Sequence, residues 1–198
     1  NDIDSRKFGV LIHGAGWVAE QHAAAFSNNP HTEVVAISSR RLQSAQGLAD
    51  RCGLAGAAVY DDLAESLDND AVDIVCVCTP QHVHCENVLA AAAAGKHIVI
   101  EKPAGNSLTE LRAMRDAVAE AGVKTIVSFV LRWNPMFMEI KRLIAKGTLG
   151  EVFCVEADYQ SYNAAGWGGW EDGRKVSSAL SALAVAGCLN ASRAACKA

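Results

Sequence analysis

The sequence predicts an α/β chain. A doubly wound parallel sheet over residues 1–130 is followed by a connecting helix and the beginning of a second, α+β domain over 131–198. Three observations predict it. An apolar run ending at Ile12 turns through Gly14-x-Gly16-x-x-Ala19 into a helical pattern, which is the form of a strand–turn–helix unit. Short apolar runs then alternate with longer helical segments as far as Val130, and such alternation builds a parallel sheet covered on both faces. After Gly150 the rhythm changes, and Glu151–Tyr159 reads as one long, partly alternating strand.

Each element has its own signal. The first helix starts near Val18, runs to about Ser27 and is stopped by Asn28-Asn29-Pro30. Val34–Ser38 is the second strand, Leu42–Arg51 a helix closed by Cys52-Gly53, and Ala58–Tyr60 a short third strand. Asp61-Asp62 caps a small helix through Leu67. Val72–Cys78 is nearly all apolar, as a central strand buried on both faces should be. An alanine-rich helix over Glu86–Ala94 ends at Gly95, and His97–Ile100 is the fifth strand. Ser107-x-x-Glu110 opens a helix to Ala121 as a capping box, Gly122 ends it, and Thr125–Val130 is the sixth strand. A last helix runs from about Met136 to Lys146. Tyr162, Trp167 and Trp170, set among glycines, read either as a loop covering a polyol ring or as surface aromatics; 176–198 has helical potential without a strong cap.

The totals exclude several classes. The chain has 198 residues, of which 51% are hydrophobic, so a sizeable core is available. A formal charge of −4 argues against nucleic acid and anionic membrane surfaces as partners. The seven cysteines form no C-x-x-C pair, and no His cluster completes a zinc pattern, so no metal site is expected. Cys76 and Cys78 share one face of a strand and are expected to pack as small hydrophobes. Asn1–Lys7 is polar, without the apolar core of a signal peptide, and no apolar run reaches transmembrane length. An odd cysteine count without an export signal places the protein in a reducing cytoplasm.

The glycine turn is the candidate for phosphate binding. Gly14 permits the tight turn, Gly16 lets backbone approach a pyrophosphate, and Ala19 lets helix pack on strand. The helix N-terminus, beginning with Trp17 and Val18, stabilises an anion without a cationic side chain. About twenty residues on, an NAD-type site places an acid on the ribose, but here the strand ends in Ser38-Ser39-Arg40-Arg41. Ser39 and Arg40 can hydrogen-bond a 2′-phosphate where a carboxylate would repel it, which favours NADP over NAD. The alternative is that Arg40 and Arg41 merely solvate a helix start. Ligands gather beyond the carboxyl ends of parallel strands, so Thr79, Pro80 and His84 should border the cofactor, with His82 left on the surface. The fifth strand delivers Glu101-Lys102-Pro103 to the same edge. A lysine partly desolvated there would have its pKa lowered into a catalytic range, with Pro103 holding the turn that aims it. A surface Glu-Lys pair is the plainer reading of those two residues alone.

The order of these motifs resembles the Gfo/Idh/MocA family of NAD(P)-dependent sugar and polyol oxidoreductases. The matching segments are Gly14–Ala19, Thr79-Pro80-x-x-x-His84, Ala94-Gly95-Lys96-His97…Glu101-Lys102-Pro103, Arg132-Trp133-Asn134-Pro135 and Gly147-Thr148-Leu149-Gly150-Glu151-Val152. The resemblance implies a Rossmann domain and a C-terminal domain whose open sheet makes homo-oligomers. It implies that Lys102 contacts the reacting hydroxyl and the nicotinamide ribose, and it adds Arg132 to the cofactor-binding set. The substrate it implies is a small sugar, polyol or cyclitol. Members carry a Gly-Cys-His-x-x-Asp-like segment, and here Gly187-Cys188-Leu189-Asn190-Ala191-Ser192 has Leu189 and Ser192 at the His and Asp positions. Neither replaces that proton chemistry. With the expected sheet not reached by Ala198, a second reading is a truncated or degenerate, cofactor-binding paralogue without efficient turnover.

Overall fold

The computed structural model describes residues 6–156. The chain divides into two compact units, Asn1–Ser128 and Phe129–Ala198.

In the first unit six strands form one parallel sheet in the order β3-β2-β1-β4-β5-β6. They are β1 Phe8–His13, β2 Thr32–Ser38, β3 Ala58–Tyr60, β4 Ile74–Val77, β5 His97–Ile100 and β6 Thr125–Val127. The intervening helices are α1 Trp17–Asn28, α2 Leu42–Cys52, α3 Leu63–Leu67, α4 His84–Ala93 and α5 Leu108–Ala121. Strand order reverses between β1 and β4, so the crevice of a doubly wound sheet opens beyond their carboxyl ends.

The local chemistry explains the boundaries. Val10, Leu11 and Ile12 have no exposed surface because both faces of β1 are covered. One core packs Leu11, Val75, Val77, Val88 and Ile98 on the α4–α5 side. The other packs Val10, Ile12, Ala19, Ala23, Ile37 and Leu48 on the α1–α2 side. Asp62 caps α3 by accepting from the Glu65 N–H at 2.9 Å. Ser107 accepts from the Glu110 N–H at 3.2 Å, as half of a capping box. The Glu110 carboxylate turns instead to the Asn106 N–H, at 2.6 Å.

Two strands differ from the sequence reading. The apolar run of the sixth strand continues to Val130, but β6 ends at Val127, because β5 offers partners only from Ile98 to Ile100. Residues 130–133 form a short 3₁₀ turn in the second unit. Residues 151–156, expected to begin a long strand, pair with no described strand, and extended backbone becomes a strand only when another strand takes up its hydrogen bonds. The rest of that segment, the aromatic loop and 176–198 lie outside the described residues. Within the second unit, helix α6 spans Pro135–Ala145, capped by the Asn134 side chain on the Met136 N–H at 2.9 Å.

Candidate functional site

The sheet's carboxyl edge is where β1, β2, β4 and β5 deliver their loops. Gly14, directly after β1, donates its N–H to the Ser38 carbonyl at 2.8 Å, and Cys78 N–H donates to the His13 carbonyl at 2.7 Å. The glycine turn is thereby stitched between β2 and β4. Gly14 has φ +112°, and a Cβ there would stand 2.6 Å from the Cys78 carbonyl oxygen. Only glycine fits. Gly16 is different: a Cβ added to it meets nothing within 4 Å. It is the N-cap of α1, and no side chain caps that helix. The space in front of Gly16 and the uncapped helix N-terminus together fit a pyrophosphate, which backbone donors and the helix dipole stabilise. Trp17 is exposed and Val18 half-buried at the same turn.

Beneath this turn lies a line of buried polar side chains. His13 Nδ1 is 2.7 Å from Ser38 Oγ, and both residues are buried. Burial lowers the His13 pKa to about 4, with the Asn87 amide and the Asp62 carboxylate pulling the other way. The ring is therefore neutral at physiological pH. Asn87, on α4, donates its amide to Thr79 Oγ1 at 2.9 Å.

His84 joins two loops. Its Nε2 lies 2.8 Å from the Thr79 carbonyl and its Nδ1 2.9 Å from the Pro103 carbonyl. Both partners are backbone carbonyls, one on each loop, and the ring is held between them. His84 is buried, with 1% exposure. It acts by holding Thr79 and Pro103 in place, while His82 is on the surface as expected.

Glu101 and Lys102 part company at the end of β5. Glu101 is buried, and its carboxylate meets His22 Nε2 at 2.8 Å. Burial, the largest influence, raises its pKa. His22, Ser128 and the Lys102 N–H together outweigh it, so the carboxyl sits below its ordinary value. Lys102 is exposed. The expected desolvation of its ammonium is thus not supplied by the described residues, because Glu101 takes the inward position and alternation turns the lysine outward.

Ser39 is half-buried, with its N–H given to the Tyr60 carbonyl at 3.2 Å, and Arg40 is exposed just beyond it. On the neighbouring strand's loop, Asp62 is spent on capping α3. No carboxylate replaces the missing acid on β2's own end.

Residues 8–129 match the Gfo/Idh/MocA oxidoreductase family, NAD-binding Rossmann fold. The chain belongs to this family. It is similar to the D-glucoside 3-dehydrogenase of Escherichia coli, 33% identical over 80% of this chain and 45% of that protein. It also resembles the inositol 2-dehydrogenase of Rhizobium meliloti, 32% identical over 74% of this chain and 42% of the relative. Among solved structures, an NAD binding oxidoreductase from Klebsiella pneumoniae superposes with a TM-score of 0.68 at 31% identity, covering 73% of this chain and 40% of that one. A 3-ketoreductase from Actinomadura kijaniata, solved with NADP, gives 0.66 at 28%, covering 74% and 46%. The chain spans about half the length of the curated relatives it matches.

In this Gfo/Idh/MocA chain, the first unit gathers Gly14, Gly16, Trp17, Val18, Ser39, Arg40, Thr79, Pro80, Glu101 and Lys102 at one sheet edge. Arg132 lies on the 3₁₀ turn of the second unit. Leu189 and Ser192 lie outside the described residues. Lys96 works at the opposite edge, where its ammonium donates to the Val72 carbonyl at 2.9 Å. The sequence reading missed His22. Its signal was in the helical spacing, for Ala19, His22, Ala23 and Phe26 form the inward stripe of α1. Among the described residues, no helix is long and apolar enough to cross a membrane.

Proposed function

We propose that the chain is an NAD(P)-dependent oxidoreductase moving hydride between the cofactor and a hydroxyl-bearing carbon of a small sugar, polyol or cyclitol. The observation that carries this reading is the placement of Lys102 on the same sheet edge as the Gly14–Gly16 turn. A nicotinamide cofactor, when bound, supplies the hydride acceptor or donor. Gly14 and Gly16 hold the pyrophosphate end by backbone, and Thr79, fixed by His84 and Asn87, forms one wall of the crevice. Lys102 then hydrogen-bonds the reacting oxygen and orients it, with the buried Glu101 fixing the backbone from which the lysine projects. The relatives named for glucosides and inositol support a polyhydroxylated substrate. Ser39 and Arg40 favour NADP. Five free cysteines among the described residues support a reducing, cytoplasmic setting.

The test is Lys102→Met assayed over a panel of sugars and cyclitols, with cofactor binding measured separately. Turnover should fall by about 10²–10⁴-fold, the range for a positioned proton-handling group, and by far more than any loss of cofactor affinity. Unchanged turnover on every substrate would remove Lys102 from the chemistry.

A further inference from the structure

Outside the crevice, one side-chain cluster in the first unit has no part in the chemistry above. Cys76 on β4 and Cys78 just beyond it are two residues apart, so their side chains leave the same face of the strand. That face packs on α1, in the core that holds Ala19 and Ala23, and α1 brings His22 to the same place. A ring nitrogen of His22 and the two thiol sulfurs all lie within 4.8 Å of one another. The two sulfurs are 3.6 Å apart. Around a tetrahedral zinc ion with Zn–S bonds of about 2.3 Å, the S···S edge is about 3.8 Å. The pair therefore already stands near ligating separation.

Glu101 supplies what such a centre needs beyond three donors. Its carboxylate bonds the His22 ring at 2.8 Å, which is how metal-bound histidines are commonly oriented. All four side chains are largely shielded: Cys76 is 0% and Cys78 7% exposed, and the His22 and Glu101 side chains are 16% and 10% exposed.

We propose that His22, Cys76 and Cys78, supported by Glu101, form a site for a single thiophilic divalent cation of the zinc class. Two sulfurs and an imidazole select against magnesium and calcium, which take oxygen ligands. Without a cation, the Cys78 thiol, burial and the Glu101 charge all hold the Cys76 thiol in its protonated form. A bound cation favours the thiolates: each thiol loses its proton to solvent as its S–metal bond forms, so two protons leave per ion bound. The Cys78 carbonyl lies against Gly14, so the ion would brace the glycine turn from below. The ion takes no part in hydride transfer, and the site shares with that reading only Glu101, which also accepts the Lys102 N–H.

Cobalt(II) is the probe, titrated into the whole chain after it is stripped of metal with a chelator. One equivalent should produce thiolate-to-cobalt charge transfer and tetrahedral d–d bands, with release of two protons, and zinc should displace it. A variant with Cys52, Cys85, Cys154, Cys188 and Cys196 all changed to Ser should keep the spectrum. Cys76→Ser with Cys78→Ser should lose it, and His22→Gln should weaken binding at least about tenfold, as loss of a ligand-sphere group does. Absence of the charge-transfer band in the unaltered chain overturns the proposal. So does its persistence in the Cys76→Ser, Cys78→Ser chain, or its loss from a folded five-serine variant.

Discussion

The two edges of one sheet are built in different ways. At the carboxyl edge, polar side chains go inward. His13, Ser38, His84, Asn87 and Glu101 are all buried, and each has a partner in side chain or backbone. At the amino edge, polar side chains reach over the surface to tie down loops. Asp73 accepts the Gly9 N–H at 2.9 Å and the Arg6 guanidinium at 2.6 Å, and Lys96 reaches the Val72 carbonyl. Buried polar groups are costly unless every bond is made. The carboxyl edge bears that cost and gains loops held in one geometry. The amino edge needs only closed strand ends, so partly exposed contacts suffice. The contrast separates the residues that make a site from those that finish a fold.

The largest expected effect breaks the carboxyl edge at its tightest point. Gly14→Ala places a Cβ 2.6 Å from the Cys78 carbonyl at a positive φ. Strain of about 1–3 kcal/mol at such a backbone position adds to overpacking of a similar size. Chemical denaturation should show a loss of several kcal/mol, on the order of those two ranges combined, together with loss of cofactor binding. Gly16→Val is the matched control. With nothing within 4 Å of its Cβ, the fold should keep its stability while cofactor binding disappears. A Gly16→Val chain that binds cofactor normally would show that the space before α1 is not the phosphate seat.

The next effect is one of pH. His13 has its pKa lowered to about 4 from 6.5, so the unfolded chain binds a proton in that window and the folded one does not. Stability is full above 6.5 and falls as pH drops towards 4, by about 1.4 kcal/mol per unit from this residue. The Glu101 carboxyl is also held below its ordinary value, so it withdraws further stability as pH falls through the carboxylate range. His13→Gln should flatten the upper part of the curve and leave the lower part. If urea midpoints of the two chains stay parallel from pH 7 to 4, the buried neutral histidine is not the origin.

A smaller effect concerns the cofactor's ribose. Arg40 is exposed beside Ser39 with no acid on its own strand end. Arg40→Ala should weaken NADP(H) by about 1.5–3 kcal/mol, the range for hydrogen bonds to charged groups, and leave NAD(H) nearly unchanged. Equal losses for both cofactors would assign the arginine to the shared phosphates or to the helix start.

Much of this was legible in the residues. Strands β1 to β5 and helices α1 to α6 follow from apolar runs and from caps such as Asp62, Ser107 and Gly122, because those signals are local. Partnership was not local. Nothing between Thr125 and Val130 says that β5 stops at Ile100, so the sixth strand read too long. The side-chain direction at a strand end depends on which neighbour turns inward, so Lys102 read as more buried than it is. Cys76 and Cys78 do pack in the core as read, but that α1 brings His22 beside them, from more than fifty positions earlier in the chain, was not local. The bonds of His84 were not local either. Its two carbonyl partners belong to different loops, and Pro103 is nineteen positions away.

The smallest expected effect tests the amino edge directly. Asp73→Ala removes the acceptor of the Gly9 N–H and the partner of Arg6. The Arg6 side chain is 72% exposed, so that ion pair is screened by solvent and adds little. The backbone bond dominates, at about 0.5–1.5 kcal/mol. Gly9 packs closely on the Ala71 carbonyl, which a Cβ there would meet at 1.8 Å, so the strand start is held against that loop by shape as well. The loss should therefore appear in the denaturation midpoint, while cofactor affinity and the pH profile stay as in the unaltered chain. A change in cofactor affinity from this position, at the far end of β1 from Gly14, would mean that the two edges are energetically coupled through the strands. The division of labour between them would then fail.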